Sequence, residues 1–198
     1  MAKLSFMAHA ARLYLRIRYH GRTEKRLRAE MQKRLKNGDR PYRFPKYLHL
    51  HVSLRETELR GCRVYRLNEG AKSGTVLLYL HGGGYVHEIS PFHWMAIERM
   101  ATEADCEAVV PLYPLAPNAA WNRAYALLDA LYRDLRSDPD RKIVLMGDSA
   151  GGGLALALCE YFQKKGMRQP DRLILLSPWV DLFTDHPESR RTPKRICS

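Results

Sequence analysis

A serine set between small residues is the first group in this sequence whose surroundings suit chemistry. The stretch MGDSAGGG (146–153) places Ser149 in a G-x-S-x-G pattern, between a buried apolar run (142–147) and an Ala- and Leu-rich segment with helical spacing (150–165). A serine on a sharp strand-to-helix turn exposes its hydroxyl, and small neighbours let strand and helix approach closely. The pattern predicts a nucleophile for carbonyl carbon, with the N–H of Ala150 directed at the oxygen that becomes charged. A glycine-rich turn that only packs the helix on the strand is the alternative.

Three consecutive glycines upstream supply a second part of such a site. In LYLHGGGY (78–85) they directly follow a buried apolar run, and no Cβ obstructs the turn or an approaching substrate. We expect Gly83 and Gly84 to present backbone N–H groups and Gly82 to shape the turn, so that the predicted oxyanion hole consists of Gly82, Gly83, Gly84 and Ala150. A phosphate-binding loop is disfavoured, because the stretch has no Lys-Ser/Thr pair and no G-x-G-x-x-G opening a helix.

The elements that must position these groups alternate between strand and helix. Apolar runs predict strands at 75–80, 107–113, 142–147 and 172–177, and helical spacing predicts helices at 92–104, 120–136 and 150–165. This alternation favours an α/β fold with a mostly parallel sheet that is covered on both faces. Ahead of it, YLHLHVSL (47–54) and RGCRVYRL (60–67) alternate apolar and polar residues, which predicts an antiparallel pair of half-exposed strands.

Residues 1–46 carry nearly all of the net positive charge. The whole chain has a formal charge of +12, and this segment holds fourteen Lys and Arg against three acidic residues. Its apolar residues predict two amphipathic helices that are broken near Gly21. We expect a basic helical arm (1–45), a main domain (46–185) and an irregular tail (186–198). Binding of the arm to anionic lipid or nucleic acid is an alternative, disfavoured because no aromatic stacking pattern or groove-reading motif accompanies the charges.

The two glycine motifs together resemble a known family. HGGG, followed about 65 residues later by GDSAGG with YPLAP between them, is similar to the hormone-sensitive-lipase-like branch of the α/β-hydrolase superfamily, the bacterial acetyl esterases and carboxylesterases. PLYPLAPNAAW resembles that family's Y-R-L-A-P-E segment, with Pro114 in place of Arg and Asn118 in place of Glu, and LLSPWVDL (175–182) resembles its sixth strand. Over roughly residues 47–182 the resemblance implies a three-layer α/β-hydrolase sandwich, a serine nucleophile, an HGGG oxyanion hole and an N-terminal arm that contributes to a cap.

The acid and the base of a triad are not evident in this sequence. In the family they follow the serine in the order Ser, Asp, His, and the resemblance implies that the last two strands and both partners are absent from these 198 residues. His186 is the only histidine after Ser149, and its side chain and that of adjacent Asp185 tend to diverge, whereas a triad needs them aligned. We interpret Asp181 as structural. Three other histidines have simpler interpretations, His81 as orienting the glycine loop and His87 and His93 as surface or loop residues.

These observations predict an esterase that cleaves short-chain carboxylic esters through an acyl-enzyme on Ser149. The alternative is an inactive truncated remnant or interaction protein without the triad Asp and His, whose exposed sheet edge favours self-association. Four cysteines without C-x-x-C spacing suggest no zinc site and no disulfide framework, and no stretch approaches the roughly 20 apolar residues of a membrane span. The expected protein is cytoplasmic, uses no cofactor or metal, and acts on a small-molecule ester and not on nucleic acid.

Overall fold

The computed structural model describes residues 24–38 and 42–181. These residues fall into two compact units, one with helix α1 (Glu24–Asn37) and the other spanning Arg40–Val180. The predicted first helix of the basic arm and the predicted tail at 186–198 lie outside the described residues. Within the described ranges, none of the helices has the length and apolar character of a membrane span.

Six strands make up one sheet in the described part of the chain, in the order β1-β2-β4-β3-β5-β6. The strands are β1 (Leu54–Leu59), β2 (Cys62–Leu67), β3 (Thr75–Leu80), β4 (Glu107–Pro111), β5 (Lys142–Asp148) and β6 (Arg172–Leu176). Three further helices are α2 (Pro91–Glu103), α3 (Trp121–Arg136) and α4 (Ser149–Lys164). β2 pairs antiparallel with β1 and β4, and all other pairings are parallel, which confirms the predicted sheet.

The antiparallel pair uses a different first strand from the one predicted at 47–54. β1 begins only at Leu54, and its hairpin partner β2 follows a tight turn at Arg60 and Gly61, where both φ angles are positive, as a type I′ turn requires. The alternating apolar residues ahead of Leu54 do not pair in the sheet but pack on its face. Leu48, Leu50 and Val52 pack against one of the two hydrophobic cores.

The two cores lie on opposite faces of the sheet. Successive β3 residues alternate between them, with Leu78 in one core and Leu77 and Tyr79 in the other, as the period-two geometry of a strand requires. Three buried residues of α2 cover the second core, whereas α3 and α4 cover the first. The connections that leave β3 and β5 therefore run to opposite faces, and open α/β sheets bind ligands at such a point, beside the carboxyl ends of the strands.

The edge strand β6 is attached to the sheet by Asp171. The carboxylate accepts a hydrogen bond from the Ile143 N–H (2.8 Å) and forms ion pairs with Arg136 (2.9 Å) and Arg168 (3.2 Å). The Ile143 N–H and, against the opposing effect of burial, the Arg136 guanidinium lower the pKa of Asp171 to about 2. Beyond this anchor, the side chains of Leu173, Ile174 and Leu176 are exposed. Self-association through this edge stays a prediction.

Asp171→Asn is expected to lower the free energy of unfolding at pH 7 by about 1 kcal/mol. This is the contribution of a hydrogen bond to a charged group, reduced because solvent screens the partly exposed carboxylate. Because folding lowers this pKa from an ordinary value of 3.8, the contribution is present above pH 4 and is lost as the pH falls toward 2. Urea unfolding of the wild type and the variant between pH 7 and pH 2 measures the difference, which should narrow with acidification. A difference that stays constant over this range would contradict the assignment.

Candidate active site

Ser149 lies where β5 turns into α4. Its side chain is exposed and its φ is +48°, a left-handed conformation that costs a residue with a Cβ about 1–2 kcal/mol. Glycine is required on both sides of this turn: a Cβ on Gly147 would lie 2.4 Å from the Gly151 carbonyl oxygen, and one on Gly151 would lie 2.1 Å from that of Leu80. The small residues of the motif therefore bring α4 against the end of β3 and leave the Ser149 hydroxyl facing outward.

The N–H of Ala150 belongs to the first turn of α4. N–H groups at this position have no intrahelical acceptor and lie at the positive end of the helix dipole. Among the described residues, no acceptor hydrogen-bonds with the Ala150 N–H. The serine hydroxyl is therefore followed directly by an unpaired backbone donor.

The glycine loop after β3 has its carbonyl groups engaged. The His81 carbonyl accepts the Tyr113 hydroxyl (2.5 Å), the Gly82 carbonyl accepts His81 Nδ1–H (2.8 Å), and the Gly83 carbonyl accepts the N–H groups of Val86 (3.2 Å) and His87 (2.9 Å). In a trans peptide the C=O and the following N–H point in opposite directions. The N–H groups of Gly82, Gly83 and Gly84 are therefore held pointing away from these contacts.

Only two of these three N–H groups remain unpaired in the part of the chain that the structure describes. The Gly82 N–H donates to Asp148 Oδ1 (2.7 Å), so Gly82, which was expected to shape the turn, has no N–H left for the predicted oxyanion hole, whereas the expected donors Gly83 and Gly84 do. The backbone conformation suits glycine, since φ is +141° at Gly83 and +62° at Gly84. β3 and β5 are neighbours whose pairing ends at Leu80 and Gly147, so this loop and the serine turn leave the same edge of the sheet side by side.

His81 is fully buried at the start of the loop. Its ring stacks on Tyr113 with 4.6 Å between the ring centroids, and burial lowers its pKa to about 4. The imidazole is therefore neutral near pH 7, and its proton lies on Nδ1 because the Gly82 carbonyl can only accept. Nε2 has no hydrogen-bond partner among the described residues. This contact supports the interpretation that His81 orients the loop.

Two further side chains belong to this arrangement: Asp148, for which the sequence predicted no role, and His93, which was expected to be a surface or loop residue. Asp148 accepts hydrogen bonds from the Tyr79 hydroxyl (2.8 Å) and the Gly82 N–H, and His93 Nε2 lies 3.3 Å from its Oδ2. Burial acts to raise the pKa of Asp148, but His93, Tyr79 and the Gly82 N–H outweigh it and lower the pKa. His93 thus lies half-buried in α2 and contacts Asp148, and the expectation of a surface or loop residue was wrong. The sequence does hold a signal for the position of His93. Ser90 and Pro91 are typical of a helix start, and His93 stands where a capping box has Glu or Gln.

No base contacts Ser149 among the residues that the structure describes. Within them, no side chain hydrogen-bonds with the Ser149 hydroxyl, and His81 and His93 are bonded elsewhere. Asp181 is exposed, and the candidates Asp185 and His186 lie outside the described residues. Three cysteines are free thiols, and no cluster of three or more metal-binding side chains occurs in the described ranges.

Comparisons with known proteins agree with this arrangement. A family model described as alpha/beta hydrolase fold matches residues 77–197. The esterase LipU of Mycobacterium tuberculosis is 36% identical over 116 residues, which cover 57% of this chain and 38% of that protein. Hormone-sensitive lipase of Mus musculus is 30% identical over 139 residues, covering 67% of this chain and 18% of the lipase.

Solved structures show the same likeness. An esterase from the bacterial hormone-sensitive lipase family superposes with a TM-score of 0.69 at 30% identity, over 91% of this chain and 60% of that one. The chain spans less than half the length of the first curated relatives that it matches.

Proposed function

Because this chain belongs to the α/β-hydrolase fold family, in its hormone-sensitive-lipase-like branch, we propose that it is a serine hydrolase of carboxylic esters with Ser149 as its nucleophile. The observation that carries the proposal is the exposed Ser149 on a left-handed turn, together with three backbone N–H groups, those of Gly83, Gly84 and Ala150, that have no acceptor among the described residues. A phosphate- or dinucleotide-binding loop is disfavoured, because neither glycine stretch has the Lys-Ser/Thr pair or the G-x-G-x-x-G pattern of such loops. A nucleophile that attacks a carbonyl needs both the hydroxyl and the donors.

The proposed reaction passes through an acyl-enzyme. The Ser149 oxygen attacks the ester carbonyl, its proton passes to a base, and the carbonyl oxygen becomes an oxyanion that Gly83, Gly84 and Ala150 N–H groups stabilise. The C–O bond to the alcohol then breaks, and the alcohol leaves with a proton. Water hydrolyses the acyl-serine, which releases the acid and restores the hydroxyl. Short-chain acyl or acetyl esters are the expected substrates.

Labelling with a fluorophosphonate probe tests the proposal, because the probe reacts only with an activated serine. Purified protein is incubated with the probe and with p-nitrophenyl acetate, butyrate and palmitate, and the labelled peptide is identified by mass spectrometry. The expected result is a single label on Ser149, with faster turnover of acetate and butyrate than of palmitate. Absence of labelling in folded protein, or a label elsewhere, would overturn the proposal for this chain.

Gly83→Ala is expected to lower kcat about 100-fold with little change in KM, the effect of losing one oxyanion donor. A Cβ at this position would lie 2.4 Å from the His87 carbonyl oxygen, and φ of +141° is unfavourable for alanine, so the peptide that presents the N–H must move. Gly166→Ala is the control, since Gly166 also has a positive φ but open space around it, just beyond the far end of α4. Equal kinetics in the two variants would count against Gly83 as a donor.

A further inference from the structure

The ring of His93 is fixed at the N-terminus of α2. Its Nδ1 accepts a hydrogen bond from the Ser90 N–H (3.0 Å) and lies 2.7 Å from the Ser90 hydroxyl oxygen. Because a backbone N–H can only donate, Nδ1 carries no proton, and the proton of the neutral ring is on Nε2. The rings of Tyr79 and His81 lie nearby, with 6.4 and 6.2 Å between the ring centroids.

The other ring nitrogen of His93 reaches the carboxylate that holds the glycine loop. Nε2–H donates to Asp148 Oδ2 (3.3 Å), while Asp148 Oδ1 accepts from the Tyr79 hydroxyl and from the Gly82 N–H. Gly82 lies directly against this carboxylate: a Cβ there would be 2.1 Å from Asp148 Oδ2. Rotation of the carboxyl group would therefore disturb the Gly82 contact.

We propose that His93 is a positioning residue for the oxyanion hole: fixed by Ser90, it sets the orientation of the Asp148 carboxylate, which in turn holds the Gly82 N–H and the two unpaired donors that follow. This inference rests on the proposed function, because the loop is an oxyanion hole only if the protein hydrolyses esters. The chain of contacts joins α2, the end of β5 and the loop after β3, so the donors of the loop keep a fixed position relative to Ser149. Such placement matters, because misplacing a stabilising group by about 1 Å can cost a rate factor of about 100.

Two amide substitutions separate the two ring nitrogens. His93→Gln places an N–H donor near the position of Nε2 and retains the contact with Asp148. His93→Asn is one bond shorter, so its oxygen accepts from the Ser90 N–H as Nδ1 does, but it leaves Asp148 without its donor. Both variants are polar and similar in size. Both also suit the helix start, Asn through its oxygen on the Ser90 N–H and Gln as a usual residue at this position of a capping box, so the difference between them reports the Asp148 contact.

Glycine-selective ¹⁵N labelling with NMR follows the loop directly and does not depend on catalysis. The protein has 13 glycines, and the Gly82 amide is assigned by triple-resonance spectra of the uniformly labelled wild type, which avoids a Cβ against Asp148. We expect its proton shift to lie downfield in the wild type and in His93→Gln, because the amide donates to a carboxylate. In His93→Asn we expect an upfield shift and hydrogen exchange at least about tenfold faster. A Gly82 amide that is unchanged in His93→Asn would overturn the proposal.

Kinetics give the second measurement. With p-nitrophenyl acetate, His93→Asn is expected to lower kcat about tenfold at nearly constant KM, and His93→Gln to restore kcat to within about threefold of wild type. Equal losses in both variants would contradict a positioning role through Asp148. If the wild type has no turnover but the Gly82 amide responds as expected, the proposed function fails for this chain, and with it the role in an oxyanion hole; only the structural link from His93 through Asp148 to the loop is then supported.

Discussion

Ser149→Ala and Ser149→Gly are both expected to abolish ester turnover and probe labelling, and Ser149→Gly is expected to be the more stable variant. Loss of the nucleophile lowers kcat roughly 10⁴-fold or more, because the oxyanion donors alone supply only a small part of the acceleration. Stability should differ because φ at residue 149 is +48°. Alanine keeps the Cβ that strains this conformation and glycine removes it, so we expect about 1 kcal/mol between them.

Turnover of p-nitrophenyl acetate and urea unfolding measure the two effects separately. Ser177 supplies the control, since it also has a positive φ, +44°, and is exposed just after β6. Ser177→Gly should show the same gain over Ser177→Ala while turnover stays at the wild-type level. Turnover that survives in Ser149→Ala would exclude Ser149 as the nucleophile. Equal unfolding free energies for Ser149→Ala and Ser149→Gly would instead contradict strain at the turn.

The central strands could be predicted from the sequence because they are buried on both faces. A strand that is buried on both faces is a continuous apolar run, and such runs occur at 75–80, 107–113 and 142–147. The strands β3, β4 and β5 lie within two residues of these bounds. The helices between them were equally well placed. The local sequence is enough to predict these strands, because a strand that is covered on both faces is apolar whatever its neighbours are.

The outer strand could not be placed in this way. Residues 47–54 alternate as a half-buried strand does, but alternation reports only which side chains face a core and says nothing of backbone pairing. Leu48, Leu50 and Val52 meet the core without joining the sheet, and β1 contains LRETEL, a mainly polar and exposed stretch. The positive-φ turn at Arg60 and Gly61 determines the hairpin, and a dipeptide with Arg at its first position is a weak signal for it.

The candidate site shows the same division between local and distant information. Ser149 and the glycines could be recognised because their roles depend on backbone geometry within a few residues. Asp148 and His93 are 55 residues apart and meet only because β3 and β5 are neighbours and α2 begins beside them. The contact at Gly82 has the same cause, since its N–H donates to a carboxylate at the end of another strand.

Gly151→Ala is expected to lower the free energy of unfolding by about 3 kcal/mol, more than Asp171→Asn or Ser149→Ala, because it forces α4 away from β3. The added Cβ would lie 2.1 Å from the Leu80 carbonyl oxygen and 2.6 Å from that of His81. Both are backbone atoms at the end of a central strand, so no side chain can rotate to make room. Urea unfolding measures the loss, and Gly70→Ala is the control because Gly70 has open space and no positive φ.

The same substitution tests whether the serine turn and the glycine loop work as one unit. Moving α4 carries Ser149 and the Ala150 N–H away from Gly83 and Gly84, since Gly151 is the point where the helix touches the strand that leads into the loop. Protein that remains folded should therefore lose turnover by more than its folded fraction explains. If Gly151→Ala were as stable as Gly70→Ala and fully active, helix and strand would not be in the close contact on which the proposed oxyanion hole depends.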